Sequence, residues 1–84
     1  MNIPSHRQVA RAFGKVLVTC RRNAKISQEE LAFRAGLDRT YPSLLERGLR
    51  QPTIGRLIAI GFALHVDPST LMIMTLVKLQ EART

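Results

Sequence analysis

Apolar residues in this chain recur at intervals of three and four and never alternate over a sustained run, so the pattern predicts helices and no strands. Val9, Phe13, Val16, Leu17 and Cys20 share one side of a helix. Before them, Ser5-His6-Arg7-Gln8 has the S-x-x-Q form of a capping box, which predicts a first helix from about Ser5 to Arg22. Ser27-Gln28-Glu29-Glu30 repeats the device. Ser27 is expected to accept the Glu30 amide, and the Glu30 side chain to reach back to the amide of Ser27. Helix two then turns Leu31, Ala32 and Ala35 inward and stops at Gly36, a residue suited to positive φ. Asp38 is expected to cap a third helix that runs to about Arg47, before Gly48. Pro52 and Thr53 open a fourth, with Ile54, Leu57, Ile60, Ala63 and Leu64 as its buried stripe, and His65 reads as its left-handed cap. Asp67-Pro68 reads as an N-cap with proline in the first position of a fifth helix, from about Pro68 to Ala82, frayed after about Gln80.

Length bounds this to one small domain, residues 1–84, whose folding hides about 60% of the surface that the open chain exposes. The longest apolar stretches, Leu57 to Leu64 and Leu71 to Val77, fall far short of the roughly 20 residues that cross a bilayer. The N-terminus has no apolar run of the signal-peptide kind. A single cysteine excludes an internal disulfide and there is no C-x-x-C pattern. His6 and Cys20 have no matching partners, so neither metal nor cofactor is expected.

The net charge of +7 is unevenly placed. Residues 1–56 hold eleven Lys and Arg against four acids, whereas residues 57–84 hold two of each. A basic front suits a polyanion, because phosphate neutralisation dominates nucleic-acid affinity. Ten of the thirteen cations are arginine, whose planar fork fits phosphates and guanine edges.

The informative stretch runs from Gln28 to Arg47, QEELAFRAGLDRTYPSLLER. A three-residue turn headed by Gly36 makes its two helices cross steeply. Ala32 and Ala35 permit the close crossing, Leu37 plugs the gap beneath the turn, and Leu31 and Leu45 anchor the two ends. Gln28, Leu31, Ala32, Ala35, Gly36, Leu37, Pro42 and Leu45 stand where the phage-repressor-type (Xre/Cro) helix-turn-helix family has its glutamine, alanine, glycine and apolar positions. The stretch resembles that family, and the flanks FGKVL, ISQEELA, LERG, PTIGRLIAI and ALHVDPSTL extend the likeness over about residues 11–74. Arg39-Thr40-Tyr41 followed by Glu46-Arg47-Gly48 resembles restriction–modification controller proteins in particular.

The resemblance implies an all-α, five-helix, lambda-repressor-like DNA-binding domain, with the helix-turn-helix at about residues 28–47. Its third helix would lie in the major groove and present its first residues to base edges. Arg39 is then the first choice for a base reader, bidentate to guanine, with a phosphate contact as its other reading. Thr40 would touch a base or a thymine methyl, or be a small polar surface residue. Ser43 would meet a phosphate or water. Leu44 would pack on a thymine methyl or be partly core, and Tyr41 would pack at the core edge or offer its hydroxyl to DNA. Gln28 would hold a phosphate at the start of helix two, or be a solvent-exposed first-turn residue. Arg47, Arg50 and Gln51 would touch the backbone or remain in a solvated loop. Arg21, Arg22 and Lys25 read as helix-dipole partners and Glu46 as the structural partner of a neighbouring arginine.

Helix five is apolar almost all the way round. One side can be buried on its own domain, and the remainder, Met72, Ile73, Leu76, Val77 and Leu79, is expected to pair two copies through residues of about 68–82. The resulting expectation is a homodimeric, sequence-specific transcriptional regulator on a near-palindromic operator in double-stranded DNA. It would be cytoplasmic, nucleoid-associated and of bacterial or phage origin. The rival is an antitoxin-type interaction protein that binds a partner toxin through Phe33 and helix five and autoregulates by binding DNA. Sparse aromatics and capped helices disfavour an RNA-binding or membrane-surface peptide, and no nucleophile–base or paired-carboxylate constellation suggests an enzyme.

Overall fold

The structure, a computed structural model, describes residues 2–82. These form five helices: α1 His6–Asn23, α2 Gln28–Ala35, α3 Tyr41–Glu46, α4 Ile54–Leu64 and α5 Pro68–Ala82. There is no strand among the described residues. Each helix sends at least one side chain into a single core, built on Phe13, Val16, Leu17, Leu31, Leu45, Ile60, Leu64 and Leu71. Leu37 is half-buried against that core, beneath the turn it was expected to plug.

The helix starts follow the caps. Ser5 and Gln8 exchange both bonds of a capping box, at 3.1 and 2.7 Å. The second box is only half formed. Ser27 accepts the Glu30 amide at 3.0 Å, but the Glu30 carboxylate turns one helical step on, to Arg34 at 2.8 Å. Thr53 accepts the Arg56 amide, and Asp67 accepts both the amide and the hydroxyl of Ser69.

The helix ends share one solution. After α1, α2, α3 and α4 the chain passes through a left-handed residue: Lys25, Gly36, Gly48 and His65, at φ 59°, 68°, 72° and 56°. Each time, the following amide reaches back five residues to a helix carbonyl: Ile26 to Arg21, Leu37 to Ala32, Leu49 to Leu44 and Val66 to Gly61. This satisfies carbonyls that the helix leaves orphaned. Two of the four positions carry a side chain where left-handed backbone costs an L-residue about 1–2 kcal/mol. Lys25→Gly and His65→Gly are therefore each expected to raise stability by up to about 1 kcal/mol, once glycine's greater freedom in the unfolded chain is set against the relief. Urea midpoints at constant slope would measure it.

Two helix positions depart from the sequence reading. Helix α3 begins at Tyr41, not at Asp38, for reasons given below. Ile54 is 77% exposed although it belongs to the α4 stripe. That stripe runs off the edge of the core, so Ile54 stands at the mouth of an apolar cleft of about 190 Å³ with Val9, Phe13, Leu57 and Met72. Helix α5 has the expected bounds, Pro68–Ala82, and Arg83 and Thr84 lie outside the described residues. No single helix among the described residues is long and apolar enough to cross a membrane.

Candidate nucleic-acid interface

The turn between α2 and α3 is built by Asp38. Its Oδ1 accepts the Thr40 amide at 2.9 Å and the Thr40 hydroxyl at 2.6 Å, while its carbonyl accepts the Tyr41 amide at 3.0 Å. Pro42 has no N–H to carry a helical ladder back to Asp38, so a tight turn precedes the helix and α3 is only six residues long. Arg39 therefore sits on the lip before α3, exposed and without an ion pair among the described residues. The two bonds from Thr40, with a smaller contribution from the Arg39 charge, hold the Asp38 carboxyl below its ordinary range. The turn thus keeps this support above the ordinary carboxylate pKa and loses it as pH falls through the lowered value. The Thr40 hydroxyl proton is committed to Asp38, so the oxygen of this exposed residue has only lone pairs left to offer.

The outer side of α3 carries half-buried Ser43 and Leu44, then exposed Arg47, whose Nε donates to the Ser43 carbonyl at 3.4 Å. Tyr41, Pro42 and Leu45 face inward. Tyr41 is packed at the edge of the core. It is 8% exposed, its hydroxyl donates to the Gln51 carbonyl at 3.3 Å, and the Arg56 and Arg50 guanidiniums lie 5.0 and 5.9 Å from its ring centroid. These contacts tie the α3–α4 loop to α3.

Two expected phosphate ligands are differently employed. The Gln28 amide donates to Glu46 Oε1 at 2.9 Å, so this side chain is turned to an ion pair inside the domain. The Gln51 amide donates to the His6 carbonyl at 3.1 Å and meets His6 Nδ1 at 3.2 Å, which pins the loop to the start of α1. Arg50 stays exposed.

Glu46 is structural, as the sequence reading has it, and its partner is Arg21. Arg21 Nε and Nη2 donate to the two carboxylate oxygens at 2.6 and 3.1 Å, and Nη1 donates to the Ile26 carbonyl at 2.9 Å. The side chains are 13% and 6% exposed. The bond to Glu46 raises the Arg21 pKa above its already high ordinary value. Arg21 is thus no mere dipole partner. With Gln28 it joins the end of α1, the start of α2 and the end of α3 in one bidentate cluster, which fixes the angle at which α3 is presented.

Gly14 completes the support. A Cβ there would stand 2.5 Å from the Leu45 carbonyl oxygen and 2.8 Å from that of Glu46, so only glycine lets α1 approach the end of α3 this closely. From this crossing the N-terminal half of α1 tracks the segment after α3. Gly14 lies at Leu45 and Glu46, Arg11 lies against Gly48, and His6 lies at Gln51. Sequence reasoning did not anticipate this neighbourhood, although Arg7, Arg11 and Lys15 stand four apart and signal one helix face.

Helix α5 buries Leu71 and Thr75 and leaves Met72, Ile73, Leu76 and Val77 exposed. Leu79, one turn beyond Leu76 on the same side of the helix, is half-buried and lines a cleft beside Ile3 and Ala12. Helix α4 adds a second exposed row, Ile54, Ile58 and Phe62, the last 74% exposed. Phe62 escaped the sequence reading because α4 is apolar on nearly every side, so periodicity cannot separate its two faces.

A short helix on a scaffold of four others, offering an unpaired arginine beside a Gly-headed turn, defines the class. The helix-turn-helix family model matches residues 17–71, and the chain belongs to that family. Within it, the chain resembles restriction–modification controller proteins. It is 42% identical to the control protein C.BamHI of Bacillus amyloliquefaciens over 52 residues, 62% of this chain and 64% of that relative. The crystal structure of the controller protein C.AhdI from Aeromonas hydrophila matches with a TM-score of 0.71 and 37% identity, over 74% of this chain and 94% of that one. The controller protein C.Esp1396I, solved as a tetramer in complex with its natural 35-base-pair operator, matches with a TM-score of 0.76 and 30% identity, over 86% of this chain and 95% of that one.

Proposed function

We propose that this protein is a sequence-specific DNA-binding transcriptional regulator of the controller type, which binds a near-palindromic operator as a twofold dimer. The observation that carries the reading is the presentation of Arg39. The Asp38 turn holds it at the tip of a recognition helix whose orientation is fixed by the Arg21–Glu46–Gln28 cluster. Kinship with controller proteins, one of them solved on its operator, supports the same conclusion. Arg39 reads a guanine edge, the Thr40 methyl packs on a thymine, and Leu44 lies close enough to the exposed face to do likewise. Ser43, Arg47 and Arg50 meet the phosphate backbone, while Tyr41 and Gln51 act from behind by holding the loop. Gln28 contributes through the end of α2 and through Glu46, not with a free side-chain amide.

In a dimer joined through α5, the two recognition helices stand about 34–36 Å apart, one turn of DNA. The roles assigned here are those of a regulator and include no catalytic step.

Selection of bound fragments from random-sequence duplex DNA tests the reading, with a two-half-site consensus as the expected result. On the selected site, Arg39→Ala is expected to cost about 1–3 kcal/mol and to relax preference at one base pair per half-site. An equal loss on random DNA would make Arg39 a backbone contact. Recovery of no consensus would remove the proposal.

A further inference from the structure

Helix α1 contains no acidic residue. Its exposed face carries Arg7, Arg11 and Lys15 at steps of four, about 6 Å apart along the axis, and none of them forms an ion pair among the described residues. A solvated helix face of this kind ordinarily intersperses acids at the same spacing. The row also has a definite place. Arg11 packs on Gly48, whose Cβ would stand 3.0 Å from the Arg11 Cα and Cγ, and His6, next to Arg7, holds the Gln51 amide. Arg7 and Arg11 therefore lie beside the loop of Arg47 and Arg50, in one cationic band that runs from the end of the recognition helix onto α1.

We infer that Arg7 and Arg11, with Lys15 next in line, form a second phosphate-binding strip, so that the DNA backbone engaged by the Arg47–Gln51 loop continues along the N-terminal half of α1. The occupant is duplex DNA flanking the recognised bases, because the strip is continuous with the proposed interface and carries no hydrogen-bond acceptor side chain suited to reading bases. Arg7, Arg11 and Lys15 thereby supply affinity and footprint length, and Arg39 supplies sequence choice. The inference rests on the DNA-binding reading above.

The experiment compares Arg7→Gln/Arg11→Gln with a charge-matched control, Arg34→Gln/Lys25→Gln, whose cations stand in the last turn of α2 and just past the C-terminal end of α1, away from this band. Glutamine keeps the Cα and Cγ of Arg11 that touch Gly48. Dissociation constants are measured over a salt series on the selected operator and on random duplex DNA. For the α1 pair, the slope of log affinity against log salt on the operator is expected to fall in magnitude by about 3.6, since the dimer loses four phosphate contacts and each removes about 0.9. Affinity near physiological salt should drop on the order of tenfold or more on both DNAs alike, with the preferred sequence unchanged. The control pair, which lowers net charge equally, should change the slope by less than about half a unit. Equal slopes for the two variants would overturn the inference and leave the α1 row as a field effect or a face for an acidic protein. The DNA-binding reading would still stand if Arg39→Ala blurred the consensus. Failure of the unaltered protein to select any DNA would remove both.

Discussion

Glu46→Ala is expected to destabilise the domain by about 3–5 kcal/mol, because it strands a guanidinium that is largely withdrawn from water. Exposed ion pairs are worth about 0–1 kcal/mol, and Glu30–Arg34 on the surface of α2 should behave that way. The Arg21–Glu46 pair differs in both respects that matter. Its side chains are nearly buried, and three hydrogen bonds converge on one carboxylate, two from Arg21 and one from Gln28. Set against the total of about 5–15 kcal/mol for a native domain, such a loss leaves little in reserve. At about 4–8 °C per kcal/mol for a chain of this size, the melting temperature should fall by roughly 15 °C or more. The double variant Arg21→Met/Glu46→Leu should recover most of the loss, because it removes the stranded charge together with its partner. A loss below about 1 kcal/mol for Glu46→Ala, read by calorimetry, would mean that water solvates the cluster and that it does not set the angle of α3.

That cluster also shows what the sequence makes legible. A glutamate at the end of the third predicted helix, among many arginines, implies an arginine partner, and the structure supplies one. Which arginine it is depends on how α1 crosses α3, and that depends on Gly14, whose importance is invisible until the Leu45 and Glu46 carbonyls are seen against it. Helix existence was readable from apolar residues at helical spacing and from the local caps of α1, α2, α4 and α5. The start of α3 was not, because Asp38 serves equally as a helix cap or as the head of a tight turn, and the missing N–H of Pro42 decides between them. Gln28 and Gln51 show the same limit. Each stands where a phosphate ligand is expected, and each amide instead meets a partner contributed by a distant part of the chain, which pattern cannot foresee. The Arg7–Arg11–Lys15 row was legible as spacing but had no meaning until Gly48 and Gln51 were placed beside it.

The second large effect concerns assembly. Ile73→Glu/Leu76→Glu is expected to convert the protein to a monomer while leaving its fold intact. Both side chains are more than half exposed in the single chain, so neither supports the domain's own core. Met72, Ile73, Leu76 and Val77 form two adjacent rows on α5, too much contiguous apolar surface to leave in water without purpose. In a twofold pairing the same patch meets itself, so each substitution enters the interface twice and sets carboxylates of like charge in an apolar setting. The solution mass should halve, helical circular dichroism should persist, and the unfolding midpoint should cease to depend on protein concentration. The effect on DNA is larger than any lost contact on the DNA face would give. A dimer engages its second half-site as an intramolecular event, and losing that linkage reduces avidity by about 10²- to 10⁴-fold on the full operator, with affinity for an isolated half-site nearly unchanged. A variant that remained dimeric would move the interface to the other exposed row, Ile54, Ile58 and Phe62 on α4. The recognition helices would then be spaced differently, and the selected consensus would show it as a changed separation between its half-sites.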